Sequence, residues 1–162
     1  MREWLVGGAV IEGPEGVLLV ANRRRGGTVD WTPPGGVIDP GEELLAGLAR
    51  EVAEETGLRV GSWEGPIYEI EAEAPDLGWK LRVEAHRAVD VTGDLVIDDP
   101  DGIVVDACYV PGADCPVRLS DAHVWVREPL AAWLDERWDG TRRFAYRVDG
   151  ADLATIQVAR LA

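Results

Sequence analysis

The sequence contains few of the residues that mark secreted, zinc-binding or membrane proteins. Its 162 residues include two cysteines, Cys108 and Cys115, and two histidines, His86 and His123. Two cysteines cannot build the dense disulfide framework of a small secreted domain, and the histidine spacing does not match a zinc finger. We therefore expect two free thiols. No apolar run of 18 or more residues is present, which argues against a membrane-spanning helix.

Positive charge is also scarce. The chain has 30 acidic against 16 basic residues and a formal net charge of −14. So acidic a surface repels phosphate polymers and anionic lipids at long range, and we expect neither a nucleic acid polymer nor a membrane as the main partner. A small phosphate ester remains compatible, because a bound cation or local arginines set the field inside a pocket. The first residues, MREWLVGG, lack the regions of a signal peptide, so we expect a cytoplasmic protein.

Residues 36–58 carry the strongest pattern in the chain. Helix-forming residues fill this stretch and Gly57 follows them, which predicts a helix over residues 43–56. At about 100° per residue, five side chains share an arc of about 100°, the width of a core-facing stripe. They are Leu45, Leu48, Ala49, Val52 and Thr56.

Three glutamates, Glu51, Glu54 and Glu55, gather on one patch of this helix, which we expect to lie away from the apolar stripe. Like charges at this spacing repel by about 0.2–0.5 kcal/mol per pair, and Arg50 is the only basic residue in the helix. Clustered oxygen ligands suit Mg²⁺ or Mn²⁺, whose usual substrate partner is a phosphate chain. Gly47, one turn before Glu51, would leave room for a ligand. Periodicity alone also permits a solvated acidic face.

The spacing of specified residues narrows this choice. The specified residues are Gly36, Glu42, Arg50-Glu51-Val52, Glu54-Glu55 and Gly57-Leu58, and the gaps between them are five residues, seven residues, one residue and one residue. This pattern resembles the Nudix box, the signature of the Nudix (MutT-like) hydrolases, at every fixed position. The preceding Trp-Thr-Pro-Pro-Gly-Gly of residues 31–36 also resembles the strand and turn that lead into that box.

The resemblance implies a fold and a metal site. It implies an α/β/α sandwich with a mixed β-sheet between helices, which we expect to form a single domain over residues 1–162, as a monomer or homodimer. It implies that Mg²⁺ or Mn²⁺ is bound by the three helix glutamates, with the carbonyl of Gly36 as a further ligand. It also implies that Arg50 orients a glutamate through a salt bridge and that Glu42 supports that network.

The resemblance also implies the reaction class, which is metal-dependent hydrolysis of a phosphoanhydride in a nucleoside diphosphate linked to another group. Our first expectation for the substrate is a nucleoside triphosphate, including oxidised forms, because the chain is short. An ADP-ribose or nucleotide-sugar pyrophosphatase is the alternative, followed by an enzyme for dinucleoside polyphosphates. A catalytically silent Nudix domain that binds a nucleotide as a sensor is the alternative from another class.

Substrate contacts are expected outside the box. The only basic cluster spans residues 23–25, which is readily explained as a solvated hairpin loop. The alternative is that Arg23, and then Arg25, holds substrate phosphates. Trp31 and Trp79 lie near loops that would border a cleft, where an aromatic ring can stack on a nucleobase. Tyr68 is a third aromatic of this kind.

The resemblance also implies an additional acidic metal ligand or base late in the chain. Asp98, Asp99 and Asp101 form an acidic loop that is also readily explained as a solvated turn. Three glutamates on preceding strands compete with them: Glu71, Glu73 and Glu84.

The remaining pattern predicts strands and one more helix. Strands are expected over residues 4–11 and 17–22, which we predict to pair as a hairpin, and over residues 59–63, 67–72, 80–91 and 103–110. The second helix is predicted over residues 120–138, with Ser120 as N-cap and a break or kink at Pro129. A terminal hairpin is predicted over residues 143–148 and 153–159, turning at Asp149-Gly150.

Overall fold

A mixed β-sheet lies between two helices in the computed structural model, which describes residues 1–162. The strands are β1 (Arg2–Val10), β2 (Glu12–Gly13), β3 (Gly16–Arg23), β4 (Val29–Thr32), β5 (Gly35–Val37), β6 (Arg59–Ala74), β7 (Trp79–Thr92), β8 (Val104–Val110), β9 (Arg142–Asp149) and β10 (Gln157–Arg160). The helices are α1 (Leu44–Thr56), α2 (Cys115–Arg118) and α3 (Val124–Glu136), with a 3₁₀ turn at Gly112–Asp114. None of these helices has the length and apolar character needed to cross a membrane.

The main sheet has six strands in the order β10-β9-β6-β7-β1-β5. The β1–β7 and β6–β9 pairs are parallel and the other pairs are antiparallel, so the sheet is mixed, as expected. A smaller sheet is built around β3, which pairs with β2, β4 and β8.

Two hydrophobic clusters make the sandwich. On one face of the sheet, Leu48 and Val52 of α1 pack with Ala9, Ile11 and Ala88. The larger cluster includes residues of α3 and of strands β6 and β9, among them Trp125, Leu130, Trp133, Ile70 and Phe144. The α/β/α sandwich is therefore confirmed, with one helix packed on each side of the strands.

The predicted pairing of the first two strands is wrong for most of their length. β1 lies inside the main sheet between β7 and β5, because both of its faces are apolar and require cover. β3 belongs to the second sheet, where it forms one hairpin with the two-residue β2 before it and another with β4 after it. The predicted turn at residues 13–16 therefore connects β2 to β3.

Other boundaries also differ from the prediction. The two short strands expected around residues 64–66 are one strand, β6, whose register with β7 breaks between Glu64 and Tyr68. The second main helix begins at Val124, with His123 rather than Ser120 at the N-cap position, because α2 and the turn after it occupy the preceding segment. Pro129 lies inside α3 without splitting it.

The C-terminal pairing is present but the turn is longer than predicted. β9 and β10 are antiparallel, yet residues 150–156 connect them instead of a two-residue Asp149-Gly150 turn. Helix α1, in contrast, ends where predicted, since Gly57 has a left-handed φ of 80° at its C-terminus. Cys108 and Cys115 are free thiols, as expected.

Leu48 is the residue through which α1 is held on the sheet. It is fully buried, and we expect Leu48→Ala to lower the free energy of unfolding by about 2–5 kcal/mol, because it removes apolar contacts and leaves a cavity. Chemical denaturation followed by circular dichroism measures the change. Leu153→Ala is the matched control, because Leu153 is 65% exposed and its truncation should change stability by less than about 0.5 kcal/mol. Equal losses in the two variants would contradict this packing.

Candidate functional site

Arg50 is the centre of an ion-pair network on α1. Its guanidinium donates two hydrogen bonds of 2.9 Å to the two carboxylate oxygens of Glu42, and its Nη1 lies 3.1 Å from Glu51 and 3.4 Å from Glu54. The hydrogen bonds from Arg50 lower the pKa of Glu42. Hydrogen bonding to Glu42 in turn raises the pKa of Arg50. The Arg50 guanidinium therefore connects Glu42, which precedes the helix, to Glu51 and Glu54 on the helix.

Gly47 makes room for Glu42 rather than for a ligand. A Cβ on Gly47 would lie 2.6 Å from Glu42 Oε1 and 3.0 Å from Ile38 Cδ1. The expectation that this glycine opens space for a bound molecule is therefore wrong. Its absent side chain instead lets the Glu42 carboxylate lie against α1, where Arg50 binds it.

Glu55 is buried, with only 8% of its surface exposed. The expectation that all three glutamates lie away from the apolar stripe is wrong for this residue, because Glu55 is about 20° around the helix from Leu48. Its Oε1 accepts a hydrogen bond of 2.8 Å from the backbone N–H of Gly35. Burial raises the pKa of Glu55 to about 8, and the charges of nearby acidic residues add to this effect against the opposing Gly35 hydrogen bond.

Glu51 lies against the second glycine of β5. A Cβ on Gly36 would lie 2.6 Å from the carboxylate carbon of Glu51, so a larger residue here would displace the carboxylate from its present position. Burial raises the pKa of Glu51, Arg50 opposes the shift, and the charges of Glu54 and Asp101 add to it. The helix glutamates and the Gly35-Gly36 backbone thus form one acidic site, with Arg50 as its paired cation.

Two aspartates of the acidic loop, Asp99 and Asp101, have different hydrogen-bonding surroundings. Asp99 accepts hydrogen bonds from the backbone N–H groups of Asp101, Ile103 and Val104, so it holds the loop in shape. The Asp101 carboxylate makes no hydrogen bond and is close enough to raise the pKa of Glu51. Asp99 likewise adds to the raised pKa of Glu55, so both carboxylates lie near the site, and Asp101 is the one of the two that holds no backbone group.

The other candidate acids have different surroundings. Asp98 is exposed and makes no side-chain hydrogen bond or salt bridge. On the strands, Glu84 lies 3.2 Å from the ring of His86, while Glu71 and Glu73 are exposed opposite Arg82 and Lys80 of β7.

A cleft of about 250 Å³ opens beside the two glycines of β5. Most of its walls are apolar or backbone. Its polar side chains are Asn22, Arg24, Thr32 and Tyr68, and its large aromatic is Trp125. Because Gly35 and Gly36 both line the cleft and contact Glu55 and Glu51, the cleft and the acidic site are adjacent.

Arg24, which sequence reasoning passed over, is the arginine of the basic cluster that lines this cleft. Its guanidinium forms hydrogen bonds of 2.8 and 2.9 Å with the Asp30 carboxylate. Arg23 and Arg25 are exposed and are not among the lining residues. The period-two alternation of β3, continued one residue past its end, would have grouped Arg24 with Asn22.

The aromatic residues are also distributed differently from the expectation. Trp125 of α3 lines the cleft, and Trp79 supports it from behind with ring centroids 5.9 Å apart. Trp31 packs against the larger core cluster, and the Arg118 guanidinium lies 4.6 Å from its ring centroid. Tyr68 lines the cleft, although its ring packs edge-on against Phe144. No sequence signal separates Trp125 from the other helix-packing tryptophans.

In this arrangement no three acidic, histidine or cysteine side chains lie close enough together to bind one metal ion. Arg50 draws Glu51 and Glu54 toward itself, and Glu55 is held by Gly35. Binding of a cation to all three glutamates would therefore require Glu54, the most exposed of them, to exchange its contact with Arg50 for the cation.

Comparison with curated proteins gives relatives of low but significant identity. The chain is 32% identical over 120 residues to the m7GpppN-mRNA hydrolase NUDT17 of Bos taurus, covering 68% of this chain and 35% of that protein. It is 30% identical over 128 residues to MutT4 of Mycobacterium tuberculosis, covering 75% of this chain and 51% of that protein. The chain thus spans about a third to a half of the length of these relatives.

Fold and family are established independently. The solution structure of the E. coli ORF135 protein superposes with a TM-score of 0.66 at 22% identity, covering 86% of this chain and 96% of that one. At this identity the likeness shows the fold. The family model described as the NUDIX domain matches residues 2–134. The chain therefore belongs to the Nudix family.

Proposed function

We propose that this protein is a metal-dependent hydrolase that cleaves a phosphoanhydride in a nucleoside diphosphate linked to another group and releases a nucleoside monophosphate. Membership of the Nudix family indicates a pyrophosphohydrolase. The observation that carries the proposal is the acidic site, in which Glu51 and Glu55 lie against the glycines that border the cleft and Glu54 lies beside them on the same face of α1.

The donor set fits Mg²⁺ or Mn²⁺. Burial raises the pKa of both Glu51 and Glu55, which means that their negative charges lack sufficient compensation in the protein alone. A divalent cation supplies that charge, and carboxylate oxygens are the ligands it prefers. We assign Glu51, Glu54 and Glu55 as the residues that hold it, with the carbonyl of Gly36 and the free carboxylate of Asp101 as further oxygen ligands.

The cation, when bound, neutralises the diphosphate and activates the attacking water. The side chains of the protein position the carboxylates and accept the proton. Arg50 and Glu42 fix the position of Glu51, and the Gly35 N–H holds the buried Glu55. The proton of the attacking water passes to one of the site carboxylates. The mostly apolar cleft beside Gly35 and Gly36 is the space for the part of the substrate next to the diphosphate.

For the substrate we propose a nucleoside triphosphate, including oxidised forms. The cleft has one charged side chain, Arg24, which Asp30 neutralises, so the cation must carry most of the phosphate charge. The names of the relatives indicate different activities, and NUDT17 is named as a hydrolase of m7GpppN-mRNA. The net charge of −14 favours a small nucleotide over a polymer here.

Glu55→Gln tests the proposed chemistry. We expect it to lower kcat/KM by at least about 100-fold, because the amide removes a charged cation ligand while keeping the shape of the side chain. Release of nucleoside monophosphate is measured from nucleoside triphosphates, ADP-ribose, nucleotide sugars and dinucleoside polyphosphates, with Mg²⁺, Mn²⁺ or chelator. Glu43→Gln is the matched control, because Glu43 is exposed and makes no capping hydrogen bond. Absence of metal-dependent turnover in the folded wild type would favour a silent sensor instead.

The raised pKa of Glu55 predicts a pH-dependent stability without metal. Its value of about 8 exceeds the ordinary 4.5, so the folded state holds the proton more tightly than the unfolded state. The stability associated with this group is complete below about pH 4.5 and is lost as the pH rises through about 8, a loss of roughly 3–5 kcal/mol. Thermal unfolding in chelator from pH 5 to 9 should show a smaller fall for Glu55→Gln than for the wild type. Parallel curves would contradict the buried carboxyl.

We expect substitution of Asp99 to lower stability and substitution of Asp101 to lower activity. We expect Asp101→Asn to lower kcat by about 10-fold or more with an unchanged melting temperature, because its carboxylate has no structural partner. Asp99→Ala should lower the free energy of unfolding by about 1–3 kcal/mol, because three backbone N–H groups lose their acceptor. Steady-state kinetics and thermal unfolding of both variants provide the test. If Asp101→Asn had wild-type kinetics, the assignment of this carboxylate to the site would fail.

A further inference from the structure

An open groove lies on α3, the helix that packs on the opposite side of the sheet from α1. Its volume is about 800 Å³. It runs between residues 112–116, which form the 3₁₀ turn and the start of α2, and residues 128–136 of α3. None of the residues that line it also lines the cleft beside Gly35 and Gly36. The groove is therefore a separate surface, which the proposed hydrolysis does not use.

The walls of the groove are mostly small and apolar. Ala131 and Ala132 line the side formed by α3, and Ala113 and Pro116 line the other side. Short side chains allow a further helix to approach closely, because the distance between packed helices is set by the side chains at the contact. Val117, which follows Pro116, is 80% exposed, the highest value among the large hydrophobic side chains. An apolar surface is thus exposed to solvent along this groove.

Every charged side chain that lines the groove is a carboxylate. Glu128, Asp135 and Glu136 lie on α3 within an arc of about 100°. Arg160 pairs with Glu128 and Arg142 pairs with Glu136, but both arginines are about half exposed, and exposed pairs of this kind are weak. Asp135 is exposed and makes no side-chain hydrogen bond or salt bridge. Basic residues on a partner would therefore complement this side of the groove.

The form of the walls limits what can bind. Both walls are helical, so they offer no free backbone edge to which an extended segment could add as a strand. A helix satisfies its own backbone hydrogen bonds and needs only side-chain contacts. A second copy of this chain is disfavoured, because the net charge of −14 opposes self-association.

We propose that this groove binds an amphipathic helix of a partner protein, with apolar side chains on one face and lysine or arginine residues along its edges. The apolar face occupies the space between α2 and α3, and the basic residues pair with Asp135 and the two neighbouring carboxylates. In this mode the apolar contacts supply most of the affinity and the charges select the partner.

Titration of the ¹⁵N-labelled protein with a helical peptide of leucine and lysine tests the proposal. Chemical-shift changes in heteronuclear NMR spectra should be largest at residues 112–116 and 128–136. A peptide in which serine replaces each leucine keeps the charge and should bind at least about 10-fold more weakly, because it cannot fill the apolar groove. Shift changes that spread over the whole acidic surface, or that centre on residues 51–55, would overturn the proposal.

Asp135→Lys and Asp121→Lys are the matched charge variants. Both aspartates are exposed and neither makes a side-chain hydrogen bond or salt bridge, but only Asp135 lines the groove. We expect Asp135→Lys to weaken binding of the leucine–lysine peptide by about 10-fold or more and Asp121→Lys by less than about threefold, although both change the net charge equally. Equal weakening would mean that the peptide responds to net charge alone, which would overturn the site.

Ala131→Gln is a second variant, which adds bulk without charge. Glutamine is a good helix former, so we expect an unchanged melting temperature and peptide binding at least about 10-fold weaker. Full affinity in the folded variant would overturn the assignment.

Sedimentation velocity of the wild type without peptide tests the remaining occupant. We expect a monomer at this surface. Self-association that Ala131→Gln abolishes would identify a second copy of the chain in the groove and would overturn the basic partner.

Discussion

The close packing of α1 against two glycines of β5 is the contact on which the site depends. A Cβ on Gly35 would lie 2.1 Å from the carbonyl oxygen of Gly7, and one on Gly36 would lie 2.6 Å from the Glu51 carboxylate. The same two residues border the cleft. A side chain at Gly35 would clash with the backbone of β1, and one at Gly36 would displace the Glu51 carboxylate, so the two glycines allow the acidic site and the pocket to adjoin.

Charge balance explains the rest of the site. The fold buries Glu55 and half-buries Glu51 beside further acids, and it supplies one positively charged side chain, Arg50, which Glu42 already engages bidentately. The protein is therefore left with buried negative charge that a divalent cation would compensate. At the neighbouring cleft, Arg24 is likewise neutralised by Asp30. Both arginines position acids and frame pockets, and neither provides a free charge for phosphate.

The sequence predicted the parts of the structure that depend on local pattern. Helix α1, its C-terminal Gly57 and the buried Leu48 and Val52 follow from periodicity and capping, and the spacing of the box identified the family. The burial of Glu55 was missed although Glu55 lies only about 20° around the helix from Leu48, whereas its hydrogen bond to Gly35 depends on how close the helix comes to β5. Strand order was missed for a similar reason, since an apolar strand such as β1 does not specify its neighbours.

The residues that line the cleft could not be predicted from the sequence for the same reason. The choice of Arg24 over its neighbours, and of Trp125 over Trp31 and Trp79, depends on where β3 and α3 meet in space. Four unspecialised residue types, Asn22, Thr32, Tyr68 and Trp125, become a potential binding surface only because distant segments place them around one space. No motif in the sequence marks them together.

Titration with Mn²⁺ followed by electron paramagnetic resonance tests the central claim most directly, since it reports cation binding without any assumption about the substrate. The account predicts that the wild type binds Mn²⁺ and that Glu54→Gln weakens binding by about 10-fold or more, while Glu43→Gln binds as the wild type does. Equal Mn²⁺ affinity in all three proteins would contradict the assignment of the α1 carboxylates as the metal site.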